Sequence, residues 1–399
     1  MARTLCCLLI ACIVSVAGFA QDLTTPVPER LLVHSNILNE DRVMWVRMPA
    51  AARGKAERYA VLYITDGGAN VNEIGSVIDF LADAGFMPPL IVVGITNTDR
   101  NRDLTPTRAG IKHSDGSVEQ FPTTGGADKF LDFIQKELAP EVEKRYRTEP
   151  YRILAGHSLG GLFTVHALVA RPDLFNAYIA SSPSLWWDDA RTVRDAQEFL
   201  PRQKELKKTL FFSLGNEGGD MKGPFEQLQQ LLSAKRPKGF VAESARYEDE
   251  VHGSTELRTH YAGLRLIFAG WPMPRDEKDQ RKGGLAGVEQ HYRELSERFG
   301  FQVSAEQEIN GLGYHLLGDK NIAEAMAAFE RNVALYPRSA NVYDSLADCL
   351  EAAGKPDLAM QNAQKAVEVA AQSGDPLLPA FKKHVERLAA GAKAKPAKE

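Results

Sequence analysis

The chain has 399 residues, of which 44% are hydrophobic and 25% charged, with a formal net charge of −4 at pH 7. This is the composition of an ordinary globular protein with room for two domains. The near-balanced charge leaves no electrostatic footprint for nucleic acid or an anionic membrane, so no nucleic-acid partner is expected.

In chain order, residues 1–20 read as a secretory signal peptide. Arg3 supplies a positive charge, an apolar run follows, and Gly18-Phe19-Ala20 offers small residues before a cut at Gln21. The run is short for a membrane span of ~20 residues. Leu9-Ile10-Ala11-Cys12 resembles a lipoprotein box, but cleavage there would leave apolar residues behind. The mature protein is expected to be exported, to the periplasm or outside the cell. Cys6, Cys7 and Cys12 fall within the leader. Cys349 alone remains, which excludes an internal disulfide or a cysteine-based metal site.

Residues 21–272 alternate strand and helix signals. Strands are predicted at 43–48, 60–65, 90–96, 152–155, 177–181, 210–214 and 245–248, and helices at 71–84, 128–146, 159–170, 225–234 and 257–268. Unbroken apolar strands of this kind are buried on both faces. Their alternation with helices predicts an α/β domain with a doubly wound, mostly parallel sheet. Residues 273–300, with the charged run Arg275-Asp276-Glu277-Lys278-Asp279 and Gly283-Gly284, are expected to be a linker and a helix.

Residues 301–390 turn wholly helical and Ala-rich. Tyr343, Leu346, Ala347, Leu350, Gly354, Ala359, Ala363 and Ala366 fall on the packing positions of a tetratricopeptide repeat. A looser copy runs through Gly311, Tyr314, Gly318, Ala325, Phe329 and Pro337. The segment resembles about two such repeats, closed by a helix near 378–388. Since ~3 repeats are usually needed for a continuous core, it is expected to pack on the α/β domain, self-associate or bind a protein partner. Residues 391–399 are expected to be disordered.

The chemistry centres on Gly156-His157-Ser158-Leu159-Gly160. A Gly-x-Ser-x-Gly match arises by chance in roughly one such chain in seven, so its context decides. Here a strand precedes it and a helix follows, the arrangement that projects a nucleophilic Ser158 Oγ from an α/β-hydrolase sheet. A serine needs a base. His252 lies in a loop between the last strand and the closing helix, whereas His157, His166 and His260 flank the elbow or lie on helices. The orienting acid should follow the preceding strand, which favours Glu217 over Asp220 or Asp249. The oxyanion donors are the amide of Leu159 and one from Asp66-Gly67-Gly68, with Gly68 preferred over Gly67. Trp186 and Trp187 follow a strand at its C-terminal end, where cleft residues gather. Arg102 and Arg108 lie in the long loop after 90–96. These are the candidate substrate-binding residues, set against packing or pairing with Asp99, Asp103 and Asp115.

Tyr63-Ile64-Thr65-Asp66-Gly67, Arg102-Asp103-Leu104-Thr105-Pro106, the serine motif, Ser182-Pro183-Ser184-Leu185-Trp186-Trp187 and Gly215-Asn216-Glu217 with His252-Gly253 occur together and in order. In these the chain resembles the putative esterase family, which includes enterobactin and feruloyl esterases, and most closely its siderophore-esterase branch. The resemblance implies an α/β-hydrolase without metal or other cofactor, with Ser158, His252 and Glu217 as triad. The helical tail departs from the family's usual single domain. The expected function is a serine carboxylic-ester hydrolase working through an acyl-serine on a small-molecule ester, of siderophore type or another aromatic or sugar ester. The alternatives are an acyltransferase using the same triad, or a repeat-mediated scaffold with a silent hydrolase domain.

Overall fold

The computed structural model describes residues 26–50, 57–112, 117–234, 236–277 and 280–394; the leader expected over 1–20 lies outside them. The chain opens with an antiparallel pair, β1 (Glu29–Ser35) and β2 (Glu40–Arg47). β3 (Tyr59–Ile64) leads into α1 (Gly67–Asp83), and β4 (Ile91–Ile95) into the short α2 (Arg100–Leu104). β5 (Gly110–Lys112) and β6 (Val118–Gln120) form a separate ribbon. α3 (Ala127–Phe133) and α4 (Ala139–Arg145) flank one π-helical turn. Then come β7 (Thr148–His157), α5 (Leu159–Ala170), β8 (Ala177–Ser181), α6 (Trp187–Phe199), β9 (Thr209–Leu214), α7 (Lys222–Ala234), β10 (Val241–Arg246) and α8 (Glu256–Ile267).

The main sheet has eight strands in the order β1-β2-β4-β3-β7-β8-β9-β10. From β4 to β10 every pairing is parallel, and β1 and β2 run antiparallel at one edge. β3, β4, β8 and β9 are buried at every residue because helices cover both faces. On one face, Ile74 and Ile78 of α1 and Leu264 and Ile267 of α8 pack on Leu62, Ile64 and Ile153. On the other, Phe130, Phe133 and Phe163 gather with Tyr63, Phe175 and Tyr178. This is the α/β-hydrolase architecture.

Several elements differ from the sequence-based expectation. β1, β5, β6, α2 and α6 have no counterpart among the elements the sequence predicts. α6 buries only Trp187, Thr192, Val193 and Ala196, too thin a stripe to show as a period. The last strand lies at Val241–Arg246 rather than 245–248, because an edge strand is set by pairing: Ala242 faces Leu210 and Arg246 faces Leu214.

Beyond residue 272 the described chain is helical. α9 (Gly284–Phe299) is the helix of the stretch 273–300, and its Leu295 and Phe299 join the α1–α8 core layer. The Phe299 ring stacks on Phe268 at 5.3 Å and meets Tyr151 edge-on at 5.1 Å. Arg298 Nη2 donates to the Ile267 carbonyl at 2.8 Å, capping the C-terminus of α8. α10 (Glu306–Gly318), α11 (Ile322–Leu335), α12 (Ala340–Ala352), α13 (Pro356–Ser373) and α14 (Leu378–Ala394) follow, each packed on the next. Gly311, Tyr314 and Gly318 fall on α10, Ala325 and Phe329 on α11, and Ala359, Ala363 and Ala366 on α13. Cys349 is a buried residue of α12. α14 runs on to Ala394, past the expected start of the disordered tail at 391, as its Ala-rich end favours helix.

If α9 is part of the hydrolase core, truncating Phe299 should destabilise that core and not merely loosen a tail. Phe299→Ala is expected to cost about 3–5 kcal/mol in denaturant unfolding. A change under about 0.5 kcal/mol would contradict the docking.

Candidate active site

β7 ends at His157 and α5 begins at Leu159, which leaves Ser158 alone in the turn at φ 58°, ψ −117°. A non-glycine residue at positive φ costs about 1–3 kcal/mol and persists only where its surroundings over-determine it. Here they do. A side chain on Gly156 would overlap the Gly160 carbonyl, and one on Gly160 would overlap Thr65 Oγ1 at the end of β3. The serine is thus pushed out of the sheet's C-terminal edge, where the loops after β3, β4, β8, β9 and β10 converge.

Two of those loops meet it. Ser158 Oγ lies 3.0 Å from His252 Nε2, and His252 Nδ1 lies 2.6 Å from Glu217 Oε2. An ionised carboxylate only accepts, so Nδ1 carries the imidazole proton and Nε2 presents its lone pair to the serine hydroxyl. Glu217 is 9% exposed, whereas the His252 side chain is 42% exposed and open to the cleft. The second glutamate oxygen accepts from Ser182 Oγ at 2.6 Å and from the Gly215 amide at 3.1 Å. Asp220 is exposed on a short turn, and Asp249 pairs with Arg258 at 2.6 Å. Neither reaches His252.

Leu159 heads α5, and Gly67 and Gly68 form the first turn of α1. First-turn amides have no intrahelical acceptor. Because β3 and β7 are paired in parallel, both helix N-termini open at the same edge, beside Ser158. Gly67 must be glycine, since a side chain there would overlap the Gly94 backbone, while one on Gly68 would meet only Thr96 Cγ2 at 4.0 Å. Arg100 clamps this loop by gripping Asp66 with Nε at 2.8 Å and Nη2 at 3.0 Å.

The predicted substrate contacts fare differently. Trp187 is only 3% exposed and donates through Nε1 to the Thr107 carbonyl and hydroxyl at 3.3 and 3.2 Å. It is a packing residue that holds the loop after α2, not a surface for substrate. Trp186 is half-buried against it, with ring centroids 5.8 Å apart. Arg108 is exposed, with no ion pair among the described residues. Arg102 is committed to structure, held by Glu40 at 2.7 and 3.0 Å and Asp103 at 2.8 Å. The fully buried Arg42 binds the same two carboxylates at 2.8 and 2.5 Å. Burial alone would raise the Glu40 carboxyl, but Arg102 and Arg42 outweigh it and hold it below the usual range.

Four residues that bear on the site were not singled out as site residues. His157 Nε2 donates to the His252 carbonyl at 2.7 Å, tying the elbow to the His252 loop, while Nδ1 faces Glu256 at 4.0 Å. Burial pushes its pKa below 6.5. Arg100 and Ser182 act as described above. Ser184 Oγ lies 3.3 Å from Ser158 Oγ. Both serines stand in the Ser-Pro-Ser run that leads into Trp186 and Trp187.

Known proteins share this framework. A family model described as "Putative esterase" matches residues 35–260. A ferri-bacillibactin esterase of Bacillus subtilis is 27% identical over 258 residues, 59% of this chain and 87% of its own length. A siderophore triacetylfusarinine C esterase of Aspergillus fumigatus is 33% identical over 175 residues, 37% of this chain and 60% of its own. Among solved structures, an IroE-like serine hydrolase from Shewanella oneidensis matches with a TM-score of 0.67 at 29% identity, over 77% of this chain and 99% of its own.

The lowered pKa of His157 has a consequence for stability. Below pH about 6.5 the unfolded chain takes up a proton that the native imidazole refuses, so this group's contribution to stability falls as pH falls. His157→Gln keeps a donor but cannot titrate. Its melting temperature should drop less than that of the wild type between pH 7 and 5, and equal slopes would refute the assignment.

Proposed function

This chain belongs to the putative esterase family and is a carboxylic ester hydrolase, and from that premise we propose that it cleaves siderophore-type esters through an acyl-Ser158 intermediate. The observation that carries the mechanism is the unbroken chain Ser158–His252–Glu217, at 3.0 and 2.6 Å. His252 Nε2 takes the hydroxyl proton as Ser158 Oγ attacks the ester carbonyl. The amides of Leu159 and Gly68 receive the oxyanion. The imidazolium, steadied by Glu217, returns the proton to the departing alcohol. Water then repeats the sequence on the acyl-enzyme and frees the acid.

The substrate class rests on the relatives, whose names describe esterases of ferri-bacillibactin and of the siderophore triacetylfusarinine C. Trp186 and Arg108 are the remaining candidates for contact with an aromatic or anionic ligand, since Trp187 and Arg102 are otherwise engaged. Substituting either should raise KM for a siderophore ester more than for a p-nitrophenyl ester.

Ser158→Ala is expected to lower turnover of p-nitrophenyl butyrate by at least about 10³-fold and to abolish fluorophosphonate labelling. Glu217→Gln should lower kcat by about 10³–10⁴-fold with folding intact. Turnover retained in Ser158→Ala would overturn the mechanism. A kcat/KM for ferric siderophore esters no higher than for simple p-nitrophenyl esters would overturn the substrate class and leave the mechanism standing.

A further inference from the structure

The hydroxyl of Ser184 has one hydrogen-bond partner among the described residues, the nucleophile itself, at 3.3 Å. Ser184 is 3% exposed, so water does not compete freely for that hydroxyl. Its backbone is held in place, because the Ser184 amide donates to the Ser158 carbonyl at 3.0 Å. Pro183 before it is packed so closely that a side chain on Gly161 would overlap it. The proton direction follows from the rest of the site. His252 Nδ1 donates to Glu217, so Nε2 accepts the Ser158 proton, and the bond between the two hydroxyls must run from Ser184 O–H to Ser158 Oγ. At 3.3 Å the contact is longer than an ideal hydroxyl pair, as catalytic hydrogen bonds often are before the reaction tightens them.

We propose that Ser184 is a further catalytic residue, whose hydroxyl stabilises Ser158 Oγ as the leaving group in deacylation. The proposal rests on the acyl-Ser158 reading above. In the acyl-enzyme Oγ is an ester oxygen and a weak acceptor. Water, losing a proton to His252, adds to the acyl carbon. The C–Oγ bond then breaks, its electron pair returns to Oγ, and His252 Nε2–H supplies the proton. As charge builds on Oγ, the Ser184 hydrogen bond strengthens, and Ser184 keeps its own proton throughout. In acylation the same bond is already present in the free enzyme, so it contributes little there. Only an interaction stronger in the transition state than in the preceding ground state accelerates a step.

The test is pre-steady-state hydrolysis of a p-nitrophenyl ester by the full chain. For Ser184→Ala, kcat should fall by about tenfold or more, the range for a hydrogen bond to a charged group. Its kcat/KM should stay within about threefold, with a full burst of one p-nitrophenolate per active site. Ser184→Thr, which restores a hydroxyl, should recover most of kcat. Equal losses in kcat and kcat/KM, or an unchanged kcat in Ser184→Ala, would overturn the role of Ser184. Fluorophosphonate labelling of the variant checks that the site is still assembled. No serine labelling and no acyl-enzyme in the wild type would instead overturn the acyl-serine reading itself.

Discussion

The site depends on one close approach of backbones. Gly156, Gly160 and Thr65 are packed with no room for a further carbon, and between the two glycines Ser158 has to turn through positive φ. Everything else is arranged around the point where that serine emerges. β3, β7, β8 and β9 lie side by side and parallel, so the loops leaving their C-terminal ends share one edge. That adjacency gathers the N-termini of α1 and α5, the Ser182-Pro183-Ser184 segment and the Glu217 loop at the edge where Ser158 emerges.

The loops that build this edge are held by charge as much as by apolar packing. Arg100 grips Asp66 beneath the first turn of α1, and Arg42 and Arg102 share Glu40 and Asp103 under the loop after β4. A buried ion pair such as Arg42–Asp103 adds little net stability once desolvation is counted, and breaking one partner leaves an uncompensated charge. Their contribution here is geometric. They set where the loop after α2 and the Asp66-Gly67-Gly68 turn sit, and Trp187 fastens the same loop through Thr107.

The helical tail is coupled to this domain through α9. Phe299 and Leu295 complete a core layer begun by α1 and α8, and Arg298 caps α8, the helix that follows the His252 loop. A chain cut before α9 would expose Phe268 and Tyr151, so the tail and the hydrolase domain are physically one folding problem, even though the sequence changes character between them.

What local physics enforces is legible in the chain. Apolar runs long enough to be buried on both faces marked the central strands, the Gly-x-Ser-x-Gly spacing marked the elbow, and chain order pointed to His252 while leaving Glu217 only preferred over Asp220 and Asp249. The sequence did not determine the elements with a thin apolar stripe, such as α6, or an edge strand such as β10, whose register comes from its neighbour. Nor could it tell that Trp187 is enclosed while Trp186 is half open, because burial depends on what the rest of the chain brings alongside. It is the packed chain that sets Glu217, and neither Asp220 nor Asp249, against His252 and brings in His157, Ser182 and Ser184. Hydrogen bonds reach about 3 Å, and 26 to 95 residues of chain separate these groups from their partners.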